Sequence, residues 1–231
     1  MKKIFLSLMI GFLVLGLATG CGKNNTTTNN PDTNNDTNVN DTNSITDKIT
    51  LEKVNNYPES PASDFEIVDY GNGVVEISKY LGNDEIVVIP ETINGKQVTS
   101  LGAYVFANDY HSNTKAVKLS NSITSIQTSA FGLNKSIEIV VMGNSVQKIG
   151  EGAFQECKKL HTVILNNGLQ EIGNAAFSSC ESLLSLEIPN SVINIARLAF
   201  YYSPENFTII GITGSTAEQF AINNNIKFET K

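Results

Sequence analysis

The side chains able to do chemistry are few. Three cysteines and two histidines are the whole stock of soft ligands and near-neutral bases in 231 residues. Cys157 and Cys180 lie 23 residues apart, without a CxxC spacing or further ligands beside them. Zinc binding and dithiol redox chemistry therefore lack their parts. His111 and His161 sit in unrelated contexts, and the GxSxG, HExxH and P-loop signatures are absent. Asp36-x-Asn38-x-Asn40, with Asp47 at the twelfth place, has the outline of a calcium loop. Its sixth place is Asp41 where the sharp turn needs glycine, and its twelfth is not glutamate. The remaining carboxylates are scattered through variable positions. These gaps point away from an enzyme, and no metal or cofactor is expected. Sixteen Lys and Arg against 23 Asp and Glu give a formal net charge of −7, which excludes a nucleic-acid role resting on a basic surface.

Cys21 is the cysteine with a chemical context. Lys2 and Lys3 precede an apolar run from Ile4 to Leu17, and Ala18-Thr19-Gly20 then lead into Cys21. A basic start, a short apolar core and small residues describe a secretory leader, and 14 residues is short for a membrane span. Leu17-Ala18-Thr19-Gly20-Cys21 resembles the bacterial lipobox, with Ala18 where leucine is usual. That resemblance implies export, cleavage after Gly20 and a diacylglyceryl thioether on Cys21. Two chains at once meet the two-signal requirement for stable membrane anchoring. An ordinary cleaved leader with an incidental cysteine is the alternative. From Asn24 to Ser44, nine of 21 residues are Asn, six Thr and three Asp. Such a stretch cannot offset its ordering entropy by burial and reads as a disordered tether.

The rest of the chain repeats. Phe131, Phe154, Phe177 and Phe200 are spaced by 23 residues, and Phe106 precedes them. In phase run Leu101, Ile126, Ile149, Ile172 and Ile195 five places earlier, and Val98, Ile123, Val146, Leu169 and Val192 eight places earlier. Val105, Ala130, Ala153, Ala176 and Ala199 stand directly before the rings. Alternations such as Val163-x-Leu165 follow each ring and mark short strands. A unit this short cannot close a core alone, so successive units stack into a solenoid. The Ala-Phe step is expected to be a 3₁₀ or single helical turn. Asn121, Asn144, Asn167 and Asn190 recur at the same step and read as a turn, with a stacked ladder satisfying buried amides.

"LEIPNSVINIARLAF", "VILNNGLQEIGNAAFSSCESL" and "VVMGNSVQKIGEGAFQECKKL" resemble the BspA-like, or treponemal-type, leucine-rich repeats of bacterial surface proteins. The pattern departs at Ser120, Gly143 and Asn166 in its Pro column and at Gln127 and Ala196 in its Gly column. The fold expected is a β-rich α/β solenoid: a short leucine-rich repeat array of about five coils between two caps. Residues 1–20 form the leader, 21–48 the lipidated cysteine and tether, 49–101 an N-terminal segment with a hairpin cap, 102–210 the repeats and 211–231 the C-terminal cap. Alternating runs flanking Gly71-Asn72-Gly73 make the hairpin. Ser215-Thr216-Ala217-Glu218 is a capping box that opens a short helix, with a strand at Ile226-Lys227-Phe228. Residues 49–64 have no assigned place in this scheme. The Tyr201-Tyr202 pair is expected to pack under the C-terminal cap.

Recognition must use positions that the core leaves free. On the strands these are Ala116 and Lys118, Ile139 and Val141, Thr162 and Ile164, and Ser185 and Glu187. Ile139, Val141 and Ile164 make this face more apolar than a solvated sheet needs, as at an interaction site. The other reading is β-propensity or a cap that covers them. Coils roughly 4.8 Å apart put Cys157 and Cys180 within reach of a disulfide, or of a ladder of two small buried thiols. The family resemblance implies an extracellular-facing, membrane-anchored protein that binds host matrix or bacterial surface proteins, as in adhesion. A structural or assembly lipoprotein of the envelope is the second reading, and a glycan-binding or enzyme accessory module the third.

Overall fold

The computed structural model describes residues 48–231. The leader, the lipidation site Cys21, the calcium-like spacing and the tether up to residue 47 lie outside the described residues. The described chain opens with helix α1 (Leu51–Asn55), whose N-cap Thr50 accepts a hydrogen bond from the Lys53 N–H. A 3₁₀ turn at Ala62–Asp64 leads into the hairpin of β1 (Phe65–Asp69) and β2 (Val74–Tyr80). Gly71 and Gly73 take φ of 79° and 83° at its tip, where the Asp69 carboxylate accepts from the Gly71 N–H.

Three-residue strands then alternate with two-residue ones, apart from the six-residue β5. They are β3 (Ile86–Val88), β4 (Thr92–Ile93), β5 (Lys96–Leu101), β6 (Ala116–Lys118), β7 (Ser125–Ile126), β8 (Ile139–Val141), β9 (Lys148–Ile149), β10 (Thr162–Ile164), β11 (Glu171–Ile172), β12 (Ser185–Glu187) and β13 (Asn194–Ile195). The chain ends with β14 (Thr208–Gly211), helix α2 (Thr216–Asn223) and β15 (Lys227–Thr230). One parallel ladder runs β3-β6-β8-β10 and continues in a second short sheet as β12-β14-β15. The opposite ladder runs β2-β5-β7-β9-β11-β13, with β1 on its outer edge.

The ladder of longer strands therefore has seven rungs, where the phenylalanine period marks five coils. The additional rungs are β14, whose coil closes through α2 in place of an Ala-Phe turn, and β15. The central residue of each strand points inward: Val87, Val117, Val140, Val163, Leu186 and Ile209 belong to one core that reaches from Phe65 to Ala221. Within it Phe106, Phe131, Phe154, Phe177 and Phe200 stand in file, with centroids 5.1, 4.9, 5.1 and 5.5 Å apart and planes within 15° of parallel. Tyr80 and Phe65 extend the file at the front, Phe207 and Phe220 at the back. Burying each ring contributes about 1.5–3 kcal/mol, so the file is a principal source of stability.

The Ala-Phe step is not helical in the coils of Phe131 to Phe200. Its residues form turns whose N–H groups reach the next coil, Phe131 to the Ala153 carbonyl and Phe154 to that of Ala176, both at 2.8 Å. Left-handed residues aim those groups outward: Ser129 and Leu133 around Phe131, Gly152 and Glu156 around Phe154. The step is thus a third ladder between coils. Between the rings a 3₁₀ turn, Asn108–His111, falls in the interval from Phe106 to Phe131, which at 25 residues is two longer than the others. The Asn121, Asn144, Asn167 and Asn190 column is exposed, not a ladder satisfying buried amides. Its side-chain bonds between coils run from the Asn144 N–H to Asn121 Oδ1 at 3.1 Å and from Asn121 Nδ2 to Glu91 Oε1 at 3.4 Å. A buried amide stands instead in the neighbouring column at Asn166, whose Nδ2 donates to the carbonyls of Asn144 and Val146, each at 2.9 Å.

Candidate protein-binding face

The outward side of the longer-strand ladder is divided in two. Over β3, β6 and β8 it is closed: Ile86, Val88, Ala116, Ile139 and Val141 form a second core with Ile49, Leu51 and Val54. Helix α1 lies across these strands and sets Val54 against them, fully buried. Lys118 Nζ then donates to the Asn55 carbonyl at 2.8 Å and satisfies an orphan acceptor at the end of the helix. Ser60 holds the following segment, through its N–H to the Val88 carbonyl and through its hydroxyl, which accepts from the Val88 N–H. Residues 49–64, without a place in the sequence reading, are the cover of this half of the sheet.

Ile139 and Val141 are consequently buried at 2 % and 8 % exposure and cannot meet a partner while α1 is seated. Their apolar character is explained by an internal contact. Beyond β8 the face is open. Ile164 is 41 % exposed, Thr162 is half-buried, and Ser185 and Glu187 are exposed. Glu187 accepts from Lys231 Nζ at 2.5 Å, and Thr162 Oγ1 lies 2.9 Å from His161 Nδ1. The sequence signal for the cover was short: Thr50 as N-cap, with Leu51 and Val54 three apart on one side of a single turn.

The cysteines form a ladder of thiols. Cys157 Sγ donates to the Phe131 carbonyl and Cys180 Sγ to the Phe154 carbonyl, each at 3.1 Å, and both side chains are buried and unbridged. Asn134 fills the same column one coil earlier and donates from Nδ2 to the Phe106 carbonyl at 2.8 Å. A donor three residues after the ring thus caps the ring residue's carbonyl on the preceding coil. Burial drives the Cys157 thiol pKa well upward, with the neighbouring Cys180 adding to it, and pushes that of Cys180 up to about 12. Neither is set up as a nucleophile. Among the described residues no three His, Cys, Asp or Glu side chains converge as metal ligands.

The geometry defines a leucine-rich repeat solenoid whose longer-strand sheet is half covered. Six copies of the BspA-type leucine-rich repeat region match across residues 85–226, to both sides of the 102–210 expected for the repeats, and the chain belongs to that family. Among solved structures it is similar to a T. pallidum leucine-rich repeat protein, with 28 % identity and a TM-score of 0.63 over 66 % of this chain and 71 % of that one. A leucine-rich cell surface protein of Faecalibacterium prausnitzii is 23 % identical over 68 % of this chain and 52 % of its own, with a TM-score of 0.48. The pneumococcal vaccine antigen PcpA is 17 % identical over 65 % and 48 %, also at 0.48. No curated protein matches the chain in sequence.

Proposed function

We propose that the chain is an exported bacterial protein, anchored by lipid at Cys21, that binds a protein partner at the cell surface, with adhesion to host or neighbouring-cell proteins as its role. Leucine-rich repeats generally mediate protein–protein interaction. The observation that carries the reading is the division of the sheet: α1 closes the face as far as β8, with Lys118 held to the end of that helix, and Thr162, Ile164, Ser185 and Glu187 line what stays open. The same face that binds α1 internally is continuous with the part available to another chain. A single open face of this size gives modest affinity, which many anchored copies would raise through avidity.

Capture of host matrix and bacterial surface proteins by the full chain tests the reading. A variant carrying Ile164→Asp and Glu187→Lys should lose the captured partner at unchanged thermal midpoint. Equal capture by both proteins would remove the face from the account. Anchoring is tested separately: cells fed labelled palmitate should label the wild type and not Cys21→Ala. Label in that variant, or none in the wild type, would contradict lipidation at Cys21.

A further inference from the structure

The turn that carries each ring has four positions that the core does not use. In the coil of Phe131 they hold Thr128, Ser129, Gly132 and Leu133; in that of Phe177 they hold Asn174, Ala175, Ser178 and Ser179. The coil of Phe200 departs from this small and mostly polar pattern with Arg197, Leu198, Tyr201 and Tyr202. Arg197 is the chain's one arginine. The fold does not require these residues, since other coils make the same turn without them. The sequence places the Tyr201-Tyr202 pair under the C-terminal cap, yet Tyr201 is 50 % and Tyr202 71 % exposed. Instead they wall a cleft of about 470 Å³, floored by Phe200 and Phe207 and closed by Asn224 and Asn225 beyond α2. That volume lies within the ~300–1,000 Å³ range of small-ligand pockets.

The chemistry of the lining narrows the ligand. The tyrosine rings are 4.0 Å apart between centroids and tilted at 46° to each other, so they offer an exposed aromatic platform with no slot between them. A proline ring bracketed between aromatics has no place there, whereas the flat apolar face of a pyranose can rest on the platform. Around it stand groups that pair with hydroxyls. Arg197 and Glu205 make no side-chain hydrogen bond or ion pair among the described residues. Asn224 donates from Nδ2 to the Phe220 carbonyl at 2.8 Å, which leaves its Oδ1 as an acceptor. We infer that this cleft binds a saccharide, stacked on Tyr202 and held through its hydroxyls by Arg197, Glu205 and the two asparagines. The site is separate from the open sheet face and does not depend on the role proposed for it.

Saturation-transfer NMR on the full chain tests the inference, with N,N′-diacetylchitobiose, cellobiose and digalacturonic acid as probes and a decaproline peptide beside them. At least one saccharide should receive transfer at its ring protons. Tyr202→Ala should weaken that binding at least about tenfold, the loss of one stacked ring of ~1.4 kcal/mol, while Tyr202→Phe and Leu133→Ala retain it. Tyr202 is so exposed that the alanine variant should keep the wild-type thermal midpoint. Absence of transfer to all three saccharides, unchanged binding in Tyr202→Ala, or binding of decaproline alone would overturn it.

Discussion

His111 lies in the longer interval between Phe106 and Phe131 and packs against the aromatic file. Its ring lies 5.2 Å from that of Tyr80 and 5.7 Å from that of Phe106, beside the front of the aromatic file. Burial holds its pKa below the ordinary value; the carbonyls of Val105 and Gly82 oppose that shift, and Lys79 adds to it. The unfolded chain therefore takes up the proton first. Stability is full above the ordinary histidine pKa of about 6.5 and falls as the pH drops from there toward the lower folded value. A urea midpoint that declines between pH 7 and pH 5 in the wild type, and less in His111→Gln, is the expected result. The thiols make a second prediction at this scale. In the native protein iodoacetamide should leave Cys157 and Cys180 unmodified by peptide mapping, and both should react once unfolded; a linked peptide pair would mean a disulfide. The ring, aliphatic and cysteine columns were legible because each repeats in phase. The positive φ of Ser129, Leu133 and Glu156 was not, since none of these residue types signals a left-handed backbone.

At the scale of elements, the caps divide into those with local signals and those without. The Gly71-Asn72-Gly73 turn and the Ser215 N-cap stand where the sequence places them, but Glu218 reaches one residue further back than a capping box requires. Ser215 Oγ accepts from the Glu218 N–H at 3.2 Å, and Glu218 Oε2 accepts from the Gly214 N–H at 2.6 Å. Helix α1 is five residues long and too short to be stable alone, so only its contact with the sheet makes it a helix. That contact is between segments distant in sequence and leaves no periodic trace. It also decides which strand positions are surface. Replacing Leu51 and Val54 together with serine should lower the thermal midpoint and raise anilinonaphthalene sulfonate fluorescence, as Ile139 and Val141 become exposed. Truncating buried aliphatic groups costs about 2–5 kcal/mol each, with less expected here for half-buried Leu51. Unchanged fluorescence would mean that α1 does not cover the sheet.

At the scale of the molecule, the coils stack in one dimension, and each bonds only to its neighbours through three ladders. A defect in the middle therefore severs more than one at an end. Phe154→Ala leaves a cavity between two stacked rings and should cost about 3–5 kcal/mol, against roughly 0.5 kcal/mol or less for exposed Leu133→Ala, by chemical denaturation. Similar losses for both would contradict the continuous file. The period also explains how the outer face misled: strand spacing assigns Ile139, Val141 and Ile164 one orientation, and orientation is correct for all three. Burial differs because α1 stops short of β10. The division of that face is the claim on which the partner-binding proposal stands. Its most direct measurement is the native-state rate at which a small thiol reagent modifies Ile139→Cys and Ile164→Cys, each in the full chain. The cysteine at 164 should react at nearly the rate of a free thiol, and the one at 139 only as fast as α1 opens or the chain unfolds; equal rates would contradict the account.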